Sequence, residues 1–324
     1  MLNEEENKVS KDRGYLKKGI SPLLFLLVTL IAITFFYKNW EVFVSLVTIS
    51  SGYLVSMSLL IIAFQSLAGI KIKILTSIFD IALKPREWFG LAQVNSLLNY
   101  LPIRGGGAAN AFYLKGFFNF PILKFVAVLT ASFVVTTAVL SMTGCFATVI
   151  VFIFFGVFAG YTLSIYVILL TLTMTLFFSI TWIVKKVSNH HLVRFLSGWE
   201  KIRKSGKRLA GLIAMDFAMI SIDTMRIKLS YGRLGFELNY FKGMAMVPIS
   251  NLAGVVSMVP GGVVVRELVI GLISKELGMG FEVGVFASAL DRAILFSWIL
   301  LLGSLSMVLL HYYRKDTPKI DNKV

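Results

Sequence analysis

The amino-acid sequence predicts an all-α integral membrane protein with about six full spans and two re-entrant helical hairpins, arranged as an inverted repeat. Three observations lead to this prediction. Of the 324 residues, 57% are hydrophobic and only 15% are charged, whereas soluble domains contain about 25% charged residues. Several apolar runs exceed the roughly 18 residues that are needed to cross a bilayer. Two further apolar runs, one in each half, are interrupted by proline and glycine.

The predicted full spans lie between short charged segments. In chain order they cover residues 20–37, 42–68, 122–158, 161–184, 209–229 and 281–312. Gly144 and Gly156 interrupt the third of these runs, which is therefore either one long span or a span and a half. The predicted organisation is an N-terminal segment (1–19), a transmembrane domain (20–312) with halves at about 20–184 and 209–312 joined by a basic loop (185–208), and a tail (313–324).

The distribution of basic residues predicts which segments face the cytoplasm. Lys and Arg concentrate in the N-terminal segment, around 71–86, in the 185–208 loop and in the tail, as is typical of cytoplasmic segments. We therefore expect both termini in the cytoplasm. The apolar positions within 71–86 indicate a helix that lies at the membrane interface. The same distribution accounts for the net charge of +15, so we expect no nucleic-acid partner.

The two interrupted runs share a Pro-Gly break between short apolar segments. The first break holds Pro102 and Gly105–Gly107, and the second holds Pro260, Gly261 and Gly262. Proline ends a helix, and glycine permits a tight reversal of the chain. Each run is therefore expected to enter the membrane and return as a hairpin, while a single kinked span is the alternative for the first run. Three predicted spans lie between the hairpins, so their tips meet near the midplane from opposite faces.

Two spacings refine this prediction. The first hairpin is expected to consist of helices over 88–101 and 108–117, and the helix over 88–101 is too short to cross a bilayer. Pro102 and Pro260 are 158 residues apart. Paired interruptions in corresponding places of two halves are typical of the binding site of a transporter.

Charged residues at membrane depth form the predicted site. The candidates are Arg104, Asp216, Asp223, Arg226, Arg266, Glu267, Asp291 and Arg292. Asp223 and Arg226 are three residues apart on one helix and are expected to pair. Arg266 lies early in the helix after Gly261–Gly262, where free backbone N–H groups and the helix dipole attract anions. Together with Arg104 at the other tip, it is predicted to bind a phosphate on an amphiphile.

The remaining predicted site residues support these two arginines. Contacts with the lipid headgroup are also assigned to Gly105, Gly106, Asn110, Gly261 and Gly262. A supporting charge network is assigned to Asp216, Glu267, Asp291 and Arg292, in which Glu267 holds Arg266 or Arg292 in position. The alternative for each charged residue is an ion pair that only holds the helices together.

The sequence patterns of common enzymes are missing. The three histidines have no metal-ligand spacing, and no Walker glycine loop or Ser-His-Asp elbow is present. We therefore expect no metal, no cofactor and no ATP hydrolysis. An intramembrane enzyme that uses Asp216 or Asp291 is an alternative. The single cysteine, Cys145, is expected to be a packing residue.

At its two breaks the chain resembles the lysylphosphatidylglycerol synthase transmembrane-region family, the flippase-like domain of the multiple peptide resistance factor. The pattern Pro-Gly-Gly-x-Gly-x-Arg-Glu is met by Pro260, Gly261, Gly262, Arg266 and Glu267, with Val264 in place of the third glycine. The pattern Pro-x-Arg-x-Gly-Glu-x-x-Arg is met by Pro102, Arg104 and Gly106, with Gly107 in place of the acid and Asn110 in place of the second arginine. Arg292 matches an arginine of the family's last span, and the resemblance covers about residues 20–312.

This resemblance implies that aminoacylated phosphatidylglycerol is moved between the leaflets of a prokaryotic plasma membrane. The chain ends soon after the last span, so we expect no soluble aminoacyl-transferase domain. The expected function is a flippase-like protein that moves a phospholipid or a lipid-linked glycan headgroup without ATP hydrolysis. The alternative is a membrane scaffold or partner of a glycosyltransferase or lipid synthase. A homo-oligomer is compatible with either function.

Overall fold

The computed structural model describes residues 50–100, 105–186, 201–202, 204–256 and 264–316, which are helical apart from short connections and contain no β-strand. The prediction of an all-α protein is confirmed for these residues. Their helices are α1 (Ser51–Ser77), α2 (Pro85–Leu98), α3 (Gly106–Phe118), α4 (Ile122–Phe155), α5 (Gly160–Lys186), α6 (Gly206–Arg233), α7 (Tyr240–Val256), α8 (Val265–Glu276) and α9 (Phe281–Asp316). All packing discussed below lies within the compact unit Val55–Val324. The other unit is Met1–Leu54, of which only 50–54 are described.

Four of the described helices are long and apolar enough to cross a membrane, namely Ser51–Ser77, Ile122–Phe155, Gly160–Ser179 and Phe281–Tyr312. Large apolar side chains such as Phe154 and Phe178 stay exposed along α4 and α5, which suits contact with lipid. Helix α6 has 28 residues but carries Asp216, Asp223 and Arg226. The predicted span at 20–37 lies outside the described residues. The structure therefore confirms an apolar helical membrane protein, and the number of six spans stays a prediction.

The described helices repeat in two sets of four on either side of α5. Helices α1 to α4 begin at residues 51, 85, 106 and 122, and α6 to α9 begin at 206, 240, 265 and 281, which is 155, 155, 159 and 159 residues later. Their lengths also correspond, with 27, 14, 13 and 34 residues against 28, 17, 12 and 36. The two halves predicted from the sequence thus share one order of helices, and α5 belongs to neither set.

Helix α4 passes through Gly144 without a break. It ends at Gly156, which has the left-handed φ of 65° that glycine adopts readily. Gly144 is a packing position, because the ring of Tyr166 on α5 lies so close to it that a Cβ atom would overlap the ring. Of the two alternatives for 122–158, the structure therefore has the single long helix.

The prediction of an interfacial helix over 71–86 is wrong. Helix α1 continues to Ser77, so Lys71 lies on the end of a spanning helix, and the chain is then non-helical until α2 begins at Pro85. At 1.5 Å per residue, α1 is about 40 Å long. Its last turns therefore extend beyond a hydrocarbon core of about 30 Å, and the lysines need no separate surface helix.

The two short helices in each set pack against each other, α2 with α3 and α7 with α8. The first pair is closed by the N–H of Gly105, which donates to the carbonyl oxygen of Leu98 at 3.2 Å. The tips at 101–104 and 257–263 lie outside the described residues. Helix α2 also packs on α9, and α7 packs on α4. The first short helix of each pair therefore rests on the long helix of the opposite set.

Candidate anion-binding site

A buried arginine with two carboxylates joins α6 to α9. Arg226 donates from Nε to Oδ1 of Asp291 at 2.9 Å and from Nη2 to Oδ2 at 2.8 Å, and its Nη1 donates to Oδ1 of Asp223 at 2.9 Å. These three side chains are at most 3% exposed. The predicted pairing of Asp223 with Arg226 is confirmed. The second carboxylate comes from a helix 65 residues away, which the sequence does not indicate.

Arg266 lies in the first turn of α8. Its Nε–Nη2 edge, the edge by which Arg226 binds Asp291, makes no hydrogen bond in the described structure. Its Nε and Nη2 are buried and have no hydrogen-bond partner in the described structure. The nearest carboxylate oxygen, Oδ2 of Asp223, lies 4.0 Å from Nη2. That oxygen accepts a hydrogen bond from Nδ2 of Asn251 at 3.0 Å. An open Nε–Nη2 edge matches two oxygens of a phosphate or a carboxylate.

Arg292 contacts residues of both pairs of short helices. Its Nε lies 3.4 Å from Oε1 of Glu267, at the start of α8. Its guanidinium also lies over the ring of Tyr100, just after α2, at 5.8 Å from the ring centroid. Of the two partners predicted for Glu267, the structure therefore places Arg292 beside it. Oε2 of Glu267 is buried without a hydrogen-bond partner in the described structure, so this carboxylate also has capacity for a ligand.

Neutral amides lie where α2 and α3 meet. A Cβ atom on Gly106 would lie 2.7 Å from Oδ1 of both Asn95 and Asn99, so only glycine permits this contact between α2 and α3. One turn later on α3, Asn110 is 2% exposed and its Oδ1 has no hydrogen-bond partner in the described structure. Gly105 has open space at its Cβ position, so sterics do not require glycine there.

Asp216 lies apart from the arginines. It is two turns before Asp223 on α6, and its Oδ1 accepts a hydrogen bond from Nζ of Lys71 at 2.5 Å. Its Oδ2 accepts one from Oγ1 of Thr136 at 3.0 Å. These contacts join α6 to α1 and α4. Lys71 was not among the predicted site residues, because the basic residues around it indicated a surface segment.

The remaining predicted site residues lie outside the described part of the chain. They are Pro102, Arg104, Pro260, Gly261 and Gly262. Among the described residues, no group of three or more His, Cys, Asp or Glu side chains is placed to hold a metal ion. The cluster that the structure describes consists of arginines and carboxylates on α6, α8 and α9, with Asn251 of α7 bonded to Asp223. Guanidinium groups of this kind are suited to binding anions.

Val264, immediately before α8, has an unusual backbone conformation. Its φ is 72° and its ψ is −46°, a region that a β-branched residue adopts only under strain. The family pattern described above has glycine at this position. The side chain is 59% exposed, so little packing holds it there. The strained residue therefore directly precedes α8 and lies two residues before Arg266, whose guanidinium edge is open.

We expect Val264→Gly to stabilise the protein by about 1 kcal/mol, because relief of about 1–3 kcal/mol of strain exceeds the entropic cost of about 0.5–1 kcal/mol for glycine. Thermal unfolding of the purified full-length protein in detergent measures this change. Val264→Ala is the matched control, since alanine keeps the Cβ atom and much of the strain. Equal melting temperatures for the two variants would show that φ at this position is not strained.

The fold and the site thus define an apolar helical membrane protein with charged residues buried between two interrupted helix pairs. The chain belongs to the family described as the lysylphosphatidylglycerol synthase TM region, whose sequence profile matches residues 20–303. The resemblance seen in the two Pro-Gly motifs is therefore confirmed. Neither a curated protein nor a solved structure matches the chain significantly.

Proposed function

We propose that this protein moves a phosphate-bearing lipid headgroup between the leaflets of a prokaryotic plasma membrane without hydrolysing ATP. The observation that carries the proposal is the buried, open Nε–Nη2 edge of Arg266. The neighbouring Arg226 fills the same edge with Asp291. A buried donor without its hydrogen bond loses about 1–3 kcal/mol, so an open edge inside an apolar protein favours a bound anion.

The position of Arg266 supports a headgroup at membrane depth. The residue follows the second interruption of the chain, and Arg292 lies between the end of α2 and the start of α8. Both interrupted regions therefore approach one cluster. In the proposed arrangement the two hairpins enter from opposite faces as an inverted repeat. The headgroup then occupies the space between the tips while its acyl chains stay in lipid.

The charges of the cluster balance, so a bound phosphate would draw on positive potential from outside it. The described cluster contains three arginines and three carboxylates, which are Arg226, Arg266, Arg292, Asp223, Glu267 and Asp291. It is therefore formally neutral before a ligand binds. A phosphate at Arg266 would gain further positive potential from the start of α8 and from Arg104. Asn110, on the first hairpin, would accept hydrogen bonds from hydroxyl groups of the headgroup.

Movement is proposed to occur by alternating access of the two sets of four helices. The matching order and lengths of the helices support two similar units. Basic segments at both ends of the chain support cytoplasmic termini.

Leaflet-resolved flux of fluorescent phosphatidylglycerol in proteoliposomes tests the proposal. We expect Arg266→Ala and Arg104→Ala each to reduce the flux by at least about 10-fold, because each removes charged hydrogen bonds to the phosphate. Lys275→Ala is the matched control, since Lys275 is an exposed cation on the same helix as Arg266. Wild-type flux in both arginine variants would exclude this site. No flux from the wild type, together with a stoichiometric enzyme partner on purification, would favour a scaffold.

A further inference from the structure

A tyrosine of α5 is hydrogen-bonded into the backbone of α7. The hydroxyl of Tyr166 donates to the carbonyl oxygen of Ala245 at 2.7 Å and accepts the N–H of Ile249 at 3.1 Å. The side chain is fully buried. In a regular α-helix the carbonyl of one residue pairs with the N–H four residues later. The hydroxyl therefore contacts both members of one such pair.

Pro248 lies within the same turn of α7. Proline has no N–H, and its ring crowds the carbonyl oxygen four residues earlier, which is that of Met244. Sharp bends in helices occur at proline and where a side chain enters the hydrogen-bond ladder. Both features coincide at Ala245–Ile249. The turn is thus a place where the direction of α7 depends on a group from another helix.

We propose that Tyr166 is a positioning residue that sets the direction of α7 beyond this turn and thereby keeps the guanidinium edge of Arg266 open. Asn251 follows the turn and donates to Oδ2 of Asp223 at 3.0 Å. This bond holds the carboxylate 4.0 Å from Nη2 of Arg266, outside hydrogen-bond distance. If α7 relaxed, Asn251 would withdraw and Asp223 would close on Arg266 in place of the ligand. The expected effect on ligand binding rests on the proposed function. The contact of the Tyr166 hydroxyl with the backbone of α7 does not depend on it.

Helix α5 is held to the second hairpin at another point. The carboxylate of Glu276, the last residue of α8, accepts the N–H of Tyr161 at 2.8 Å and the hydroxyl of Thr162 at 2.5 Å, at the start of α5. A carboxylate at a helix start is favoured by the helix dipole. Helix α5 therefore contacts both helices of this hairpin. Helix α5 belongs to neither set of four helices. It is therefore suited to set the position of α7 and α8 relative to the other helices.

A double-mutant cycle between Tyr166→Phe and Pro248→Ala tests the proposal in the full-length protein. Hydrogen–deuterium exchange of the peptide spanning 245–251 reports the inserted hydroxyl. Affinity for short-chain phosphatidylglycerol reports the anion site. We expect Tyr166→Phe to speed exchange and to weaken binding, each by about fivefold to tenfold, because one buried hydrogen-bonding group is lost. In the Pro248→Ala background, where a regular ladder can form, the same change is expected to alter both quantities less than about twofold.

Tyr161→Phe is the matched control, since this tyrosine of the same helix is 84% exposed, and it is expected to change neither quantity. Equal effects of Tyr166→Phe in both backgrounds would show a general packing role and overturn the proposal. Faster exchange with unchanged affinity would overturn the link to Arg266. If neither the wild type nor Arg266→Gln binds the lipid, the proposed function is wrong. The proposed role of Tyr166 in positioning Arg266 is then wrong as well. The exchange data still decide whether the hydroxyl is inserted.

Discussion

Replacing Arg266 by glutamine is expected to weaken binding of short-chain phosphatidylglycerol by about 10- to 100-fold, since a hydrogen bond to a charged group contributes about 1.5–3 kcal/mol. The open edge of this residue offers two such bonds to one phosphate. Arg266→Lys keeps the charge but replaces the planar fork by a single ammonium group, so we expect an intermediate loss. Microscale thermophoresis of the purified protein in detergent measures the affinities.

Two comparisons separate the site from general attraction to a basic protein. Lys275→Gln removes one positive charge from the exposed face of α8 and is expected to leave the affinity within about twofold, because exposed charges contribute little. Diacylglycerol, which lacks the phosphate, is expected to bind all variants equally. Equal losses for Lys275→Gln and Arg266→Gln would contradict a specific phosphate contact.

Replacing Asp291 by asparagine is expected to lower the melting temperature by on the order of 10 °C, because breaking a buried ion pair costs about 3–5 kcal/mol. Asp291 accepts both bonds from the Nε–Nη2 edge of Arg226, and both side chains are 1% exposed. The variant leaves the guanidinium with only Asp223 as a charged partner. Thermal unfolding of the full-length protein in detergent measures the change.

Glu282→Gln is the control for this change, since Glu282 is an exposed acid at the start of the same helix, and it is expected to shift the melting temperature by less than about 2 °C. A wild-type melting temperature for Asp291→Asn would contradict the structural role of the triad. If that variant also lost turnover of a lipid by the purified protein, the intramembrane enzyme would become the better interpretation.

The sequence predicted the two short helices of the first set to within about three residues at each end, because proline and glycine act locally. The helices expected at 88–101 and 108–117 are found at Pro85–Leu98 and Gly106–Phe118. Pro85 takes the first helical position, and the backbone N–H of Lys84 donates to Oε2 of Glu87 at 2.7 Å. These signals fix the start of α2 without any information from the rest of the fold.

Apart from Glu267 with Arg292, contacts between helices were not predicted, since apolar helices resemble one another in sequence and their neighbours depend on tertiary packing. Asp223–Arg226 was predictable because its members are one turn apart. The partners of Arg226 and Asp216 on other helices lie 65 and 145 residues away. The role of Gly144 was likewise misjudged, because only the position of Tyr166 shows why glycine is required.

The two long helices have a consequence for how the protein responds to its bilayer. The apolar stretches of α4 and α9 contain 34 and 32 residues, which correspond to about 51 and 48 Å of helix. A hydrocarbon core of about 30 Å accommodates such lengths by steep tilting of the helices or by local thickening of the lipid. Lipids with longer acyl chains are therefore expected to bring both helices closer to the membrane normal. Since α2 rests on α9 and α7 rests on α4, a change in acyl-chain length is expected to shift the positions of both α2 and α7.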